Sequence, residues 1–175
     1  TSWATQVGYT KPNYSVSALL NIKSNGWSDT YYHTSDHGTG GNGNFSSVGL
    51  RGWWRPDNTG TATPSISVGF DTTEYDGAPS STSNSTAYFV GLNWQDMFQA
   101  DDRIGVAFGQ PIKAEEFVTG AADVTEVDPF LWEAYYSFRP NDSIEIQPAI
   151  FGGSDVLEDS QDDIFGAMLT TTFKF

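Results

Sequence analysis

The sequence predicts an all-β fold, an antiparallel transmembrane β-barrel, and three observations lead there. Apolar side chains alternate with small or polar ones along nine separate runs. The chain has 175 residues, is 15% aromatic and 17% charged, and its 18 glycines sit among abundant Ser, Thr and Asn, a mixture suited to strands and turns. No stretch approaches the roughly 18 uncharged apolar residues of a spanning helix, a limit that alternating strands do not have to meet. Composition nowhere shifts enough to mark a second domain, so residues 1–175 form one unit. About nine strands are expected in this chain, as the C-terminal part of a larger even-numbered barrel.

The runs cover residues 2–9, 14–23, 45–54, 64–71, 86–94, 103–110, 130–138, 143–151 and 164–175. In the first four, one phase reads Trp3, Val7, Tyr9; Tyr14, Val16, Ala18, Leu20, Ile22; Val48, Leu50, Trp54; Ile66, Val68, Phe70. It continues as Tyr88, Val90, Leu92, Trp94; Ile104, Val106, Phe108; Trp132, Ala134, Tyr136, Phe138; Ile144, Ile146, Ile150. In the last run Phe165, Ala167, Leu169, Thr171, Phe173 and Phe175 alternate with Ile164, Gly166, Met168, Thr170, Thr172 and Lys174. Period two assigns the phases to opposite faces. The second phase holds Gln6, Ser15, Ser17, Ser67 and Asn93 between glycines such as Gly8, Gly69 and Gly105, so one face is expected to be greasy and the other wet. On the wet phase Lys23, Arg51, Arg55, Arg103, Glu133, Glu145, Gln147 and Lys174 are the candidate pore-lining residues, since charged side chains in a lumen are how pores discriminate solutes. Pairing between neighbouring strands is the structural alternative. Trp53 interrupts that phase and could stack on a sugar, stack on an Arg or fill space.

Connections at 10–13, 55–63, 95–102 and 139–142 are shorter than those at 24–44, 72–85, 111–129 and 152–163 and alternate strictly with them. Membrane barrels place short turns in the periplasm and long loops outside. Pro12-Asn13, Pro56-Asp57-Asn58 and Pro140-Asn141-Asp142 supply turn chemistry on the short side. Tyr9, Tyr14, Trp54, Trp94 and Phe138 lie beside those turns, where an aromatic girdle belongs. The chain then ends on the periplasmic side. Nine is odd where such barrels close on even numbers, so further strands are expected upstream of Thr1.

Net charge is -14, with only 8 Lys and Arg, which argues against nucleic acid. Acids collect in the long connections: Asp29, Asp36, Asp71, Glu74, Asp76, Glu115, Glu116, Asp123, Glu126, Asp128, Asp155, Glu158, Asp159, Asp162 and Asp163. An acidic mouth gathers cations, and plain solvation is the alternative. Gly38-Thr39-Gly40-Gly41-Asn42-Gly43 fits G-x-G-x-x-G without a strand before it or a helix after it. His33 and His37 precede that flexible loop, and Asp155 to Asp163 lacks the order of a calcium loop. No metal or cofactor is expected. With no cysteine and no Ser-His-Asp order, the enzyme alternative is a secreted jelly-roll glycosidase with Glu133 and Glu145 about 5 to 5.5 Å apart. A plugged barrel serving as an adhesion or receptor platform is the non-transport alternative.

Four blocks carry a resemblance: Gln6-Val7-Gly8-Tyr9-Thr10, Gly52-Trp53-Trp54-Arg55-Pro56, Gly91-Leu92-Asn93-Trp94-Gln95-Asp96-Met97-Phe98 and Ala107-Phe108-Gly109-Gln110-Pro111. With them the chain resembles the C-terminal half of cyanobacterial outer-membrane porins, the iron-uptake type that joins an S-layer-homology domain to an OprB-like barrel. The resemblance implies an outer-membrane location, a homotrimer among lipid, passive diffusion of small inorganic ions and solutes, with iron species and sugars as further candidates, and no catalytic residue. It also implies cell-wall contact only through a domain that has no counterpart in this sequence.

Overall fold

The computed structural model describes residues 1–24, 44–76, 82–117, 128–155 and 163–174. All nine predicted strands are present: β1 Ser2–Lys11, β2 Tyr14–Lys23, β3 Asn44–Trp54, β4 Ser65–Asp76, β5 Thr82–Gln95, β6 Arg103–Phe117, β7 Phe130–Asn141, β8 Ile144–Ser154 and β9 Ile164–Phe173. They form one sheet in sequence order, antiparallel at every step, and no helix occurs among the described residues.

Two strands run further than their sequence pattern. The alternation of β4 was expected to stop at Asp71, yet Thr72, Thr73 and Tyr75 pair with Val48, Ser47 and Phe45. β6 was expected to stop before Pro111. The register instead slips between Tyr88↔Gln110 and Thr86↔Lys113, and the strand continues to Phe117. Pro111 lies inside that slip, where its missing N–H costs no ladder bond. The connection between β4 and β5 shrinks to 77–81, shorter than 55–64 and 96–102 at the other end. The strict alternation of connection length therefore fails, although 24–43 and 118–129 do share one end.

The sheet is not closed into a barrel; closure was expected only together with further strands. Only consecutive strands touch among the described residues, so β1 and β9 are free edges. The reason is parity: in an up-and-down sheet the first and ninth strands point the same way, and an antiparallel pairing between them is impossible. The strands are nonetheless staggered. The register row Gly8-Ser17-Arg51-Gly69-Phe89-Gly109-Leu131-Gly153-Ile164 starts well into β1 and ends on the first residue of β9. Such sliding is what a tilted, curling sheet requires.

Among the described residues nothing packs on either face, so there is hardly a core. Phe45, Tyr75 and Ala149 are the buried apolar residues among those described. On the apolar face Val7 is 70% and Leu169 68% exposed, with Val16, Leu50, Val68, Ile150 and Phe173 also open.

Candidate pore wall and mouth

Cross-strand partners share a face, so register assigns each candidate. The apolar phase is continuous across the sheet, as in Lys11-Tyr14-Trp54-Ile66-Leu92-Val106-Ala134-Ile150-Ala167. The opposite face is mixed, with more large apolar side chains than the expected wet face. Ser15, Ser17, Ser67 and Asn93 are on it, together with Leu19, Phe45, Phe89, Leu131, Tyr135, Phe151, Ile164 and Met168. The rings lean over glycines of neighbouring strands. A Cβ on Gly69 would come within 2.2 Å of Phe89, one on Gly105 within 2.1 Å of Tyr135, and one on Gly166 within 2.4 Å of Phe151. Each missing side chain makes room for a ring lying flat on the sheet. A glycine facing an aromatic in the same phase of the next strand was the available signal for this.

Charges on the mixed face are largely paired. Arg51 binds Asp71 across β3 and β4 at 2.6 Å, both about half exposed. Its guanidinium also donates to the carbonyls of Leu50 and Phe70 and lies 5.6 Å from the Phe89 ring centre. Glu145 accepts from Ser137 at 2.9 Å and from Arg139 at 3.1 Å, and Arg139 also approaches Asp101 at 3.8 Å. Arg139 had no place among the sequence candidates because it falls at the edge of a run. Gln147 pairs with Thr170 on this face. Arg103 sits at the start of β6 opposite Gln95 and Ser137. Glu133 faces Ala107 and Phe151.

Three wall candidates lie at strand ends. Lys23 closes β2, partly buried, in register with Ser2 and Phe45. Lys174 follows β9, and its N–H donates to the Ser143 carbonyl. Arg55 is beyond β3, stacked 5.6 Å from the Trp53 ring centre and donating to the Pro12 carbonyl at 2.9 Å, so it braces two turns. Trp53, on the mixed face, thus stacks on an Arg. Register also separates the carboxylates of the glycosidase alternative. Glu133 is opposite Phe151, whereas Glu145 is six residues further along β8, roughly 20 Å at 3.3 Å per residue, far beyond a catalytic pair.

At the mouth, Glu74, Asp76, Glu115 and Glu116 stand on strands rather than in connections, because β4 and β6 run long, and Asp71 lies within β4, where the expected run ended. Glu115 accepts from Thr86 at 2.6 Å, and buried Lys113 binds Asp128 and lies 3.9 Å from Glu115. Asp155 has a left-handed φ of 51° just after β8, and Asp163 is exposed just before β9. Asp29, Asp36, Asp123, Glu126, Glu158, Asp159, Asp162, the two histidines, the Gly38 to Gly43 loop and Phe175 lie outside the described residues. Among the described residues no three His, Asp or Glu gather as a metal site.

At the opposite end the expected girdle residues are all on the apolar face. Tyr9 and Tyr14 rings are 6.2 Å apart, and Trp94 Nε1 donates to the Ala62 carbonyl at 2.9 Å. Two further aromatics join them at this end: Phe98, 77% exposed, meets Tyr136 edge-on at 6.0 Å, and Tyr136 stacks on Phe138 at 5.5 Å. Beneath Phe98 the turn 96–102 wraps around fully buried Asp102, whose carboxylate accepts from the N–H groups of Met97, Phe98 and Gln99. Asp101 N–H donates to Asp96 at 2.7 Å, and both residues take left-handed φ near 60°, which Asp tolerates through its local hydrogen bonds. A second aromatic band lies toward the other end of β6 to β9, with Phe108 6.3 Å from Phe130 and Trp132 6.2 Å from Phe165.

Searches against protein-family models, curated proteins and solved structures match nothing to this chain.

Proposed function

We propose that these nine strands are part of the wall of an outer-membrane porin through which small ions and solutes diffuse passively, with cations favoured at an acidic mouth. One observation carries the reading: a continuous apolar face spans all nine strands and no described residue covers it. In water so much exposed apolar area is unfavourable at about 25 cal/mol per Å²; against lipid tails it is the expected outer surface. The aromatic bands fit that surface. From Phe130 to Phe138 along β7 is about 26 Å of strand, and a ~40° tilt brings the height to roughly 20 Å, close to the ~25 Å apolar band of a membrane barrel. The paired charges and glycines of the other face suit a hydrated lumen.

Closure follows from parity. β1 and β9 run the same way, so an all-antiparallel barrel needs an odd number of additional strands between their free edges. Catalysis has no place in this reading.

Planar-bilayer recording of the protein in its complete barrel tests it. Stepwise open channels more permeable to K⁺ than to Cl⁻ are expected. A permanently closed channel overturns the transport reading, an anion-selective one overturns the cation preference, and a protein that stays soluble without detergent overturns the membrane reading.

A further inference from the structure

Two register rows lie side by side on the mixed face: Phe89-Gly109-Leu131-Gly153-Ile164 and Gly91-Ala107-Glu133-Phe151-Gly166. Large residues alternate with glycines in the first, and the second adds Gly91 and Ala107 beside Glu133. The floor is therefore backbone and methyl groups, bordered by Leu131 and by the Phe89 and Phe151 rings that lean over Gly69 and Gly166. The result is a groove of about 530 Å³, within the usual size range for a small organic ligand.

Two carboxylates line the groove, and they differ. Asp71 is neutralised by Arg51 at 2.6 Å. Glu133 has no hydrogen bond or ion pair among the described residues. Its charge is left to be matched by something that enters. A bare alkali ion would satisfy the carboxylate and leave the surrounding rings unused, whereas an anion would be repelled. Aromatic faces attract cations, and Phe89 already holds one in the Arg51 guanidinium, 5.6 Å from its ring centre.

We propose that this groove binds a small organic cation, its ammonium against Glu133 and its apolar body on Leu131 and the Phe89 and Phe151 rings. The inference rests on the porin reading only in requiring that the mixed face be open to water. A solute held there would pause while crossing rather than be consumed, since no nucleophile or general acid adjoins Glu133 in register.

The test is calorimetric titration of 2-phenylethylammonium into the protein in detergent micelles, with phenylacetate as the anionic counterpart of similar shape. Saturable binding of the ammonium and none of phenylacetate is expected. Glu133→Gln keeps the side-chain size and should weaken binding about tenfold, the loss of one charge-assisted contact. Equal binding of phenylacetate, or unchanged ammonium affinity in Glu133→Gln, overturns the site. Calorimetry needs no current, so the two readings fail separately: conductance without binding removes the site, and binding without conductance removes the pore.

Discussion

The hydroxyl of Tyr136 donates to the carboxylate of Asp102 at 3.1 Å, tying the turn between β5 and β6 to the middle of a girdle on β7. Asp102 is inaccessible to solvent, and burial opposes its charge. The N–H groups of Phe98, Met97 and Gln99 and then the Tyr136 hydroxyl outweigh that opposition and hold the carboxyl below the usual carboxylate range. Asp102→Asn turns an acceptor oxygen into a donor facing other donors and should lower the unfolding midpoint in micelles. Tyr136→Phe removes one bond of four and should lower it less. The sign with pH is fixed by the depressed value: the stabilisation is fully present above the ordinary pKa of about 3.9 and is lost as pH falls through the folded one. The gap between wild type and Asp102→Asn should be widest near neutrality and close below about pH 4; a gap equal at pH 7 and pH 3 contradicts the charged cap.

Gly105 and Tyr135 form one packing unit. The ring lies where a Cβ on Gly105 would be, 2.1 Å away, and Asn93 Nδ2 holds the Tyr135 hydroxyl at 3.1 Å. The ring therefore cannot swing aside without losing that bond. Gly105→Ala should cost about 1–3 kcal/mol, the range for overpacking. Removing the ring first, in Tyr135→Ala, should make the glycine replaceable. Denaturant unfolding of the double variant should be milder than the sum of the singles by more than about 0.5 kcal/mol, and simple additivity would show that ring and glycine are independent.

The strands were legible because period two is written into nearly every run, and β1, β2 and β9 match it almost residue for residue. Asp71 and Glu115 were read as loop acids because charge and threonine ended the apolar alternation. In the sheet their neighbours Arg51 and Thr86 give them partners on adjacent strands, and partner identity depends on register, which local pattern does not state. Pro111 looked like a stop and is a bulge, since a proline can occupy the one position where no ladder bond is due. The rings over Gly69, Gly105 and Gly166 went unread for a similar reason: a glycine in a polar phase looks like more polarity until the neighbouring strand supplies its ring. Asp102 was hidden beside Asp96, Gln99 and Asp101 in one turn, where only geometry distinguishes the acid that turns inward.

Val68 and Ser67 are neighbours on β4 that face opposite ways, Val68 in register with Gly52 and Val90, Ser67 with Trp53 and Gly91. They offer a direct test of which face meets lipid. In vesicles, Val68→Arg should destabilise by about 2–4 kcal/mol, the cost of a cation on the lipid side near mid-depth. Ser67→Arg, with Gly91 beside it, should cost little. The measurement is urea unfolding from liposomes; equal penalties at the two positions, or the reverse order, would assign the faces wrongly.

On the proposed porin reading, selectivity at the wall should depend on Arg51 and Asp71 acting as a pair. Because both are about half exposed, screening keeps the pair's contribution to stability small, on the order of 1 kcal/mol or less, and its effect should appear in permeation instead. Arg51 is held independently by the Leu50 and Phe70 carbonyls and by the Phe89 ring, so Asp71→Asn leaves the cation in place and uncompensated. The K⁺ to Cl⁻ permeability ratio should fall in Asp71→Asn and rise in Arg51→Gln, with thermal midpoints nearly unchanged in both. The double variant should return toward the wild-type ratio, since it removes one charge of each sign. Reversal potentials in a salt gradient measure this directly. If both single variants shift the ratio in the same direction, the mixed face does not line the conducting path.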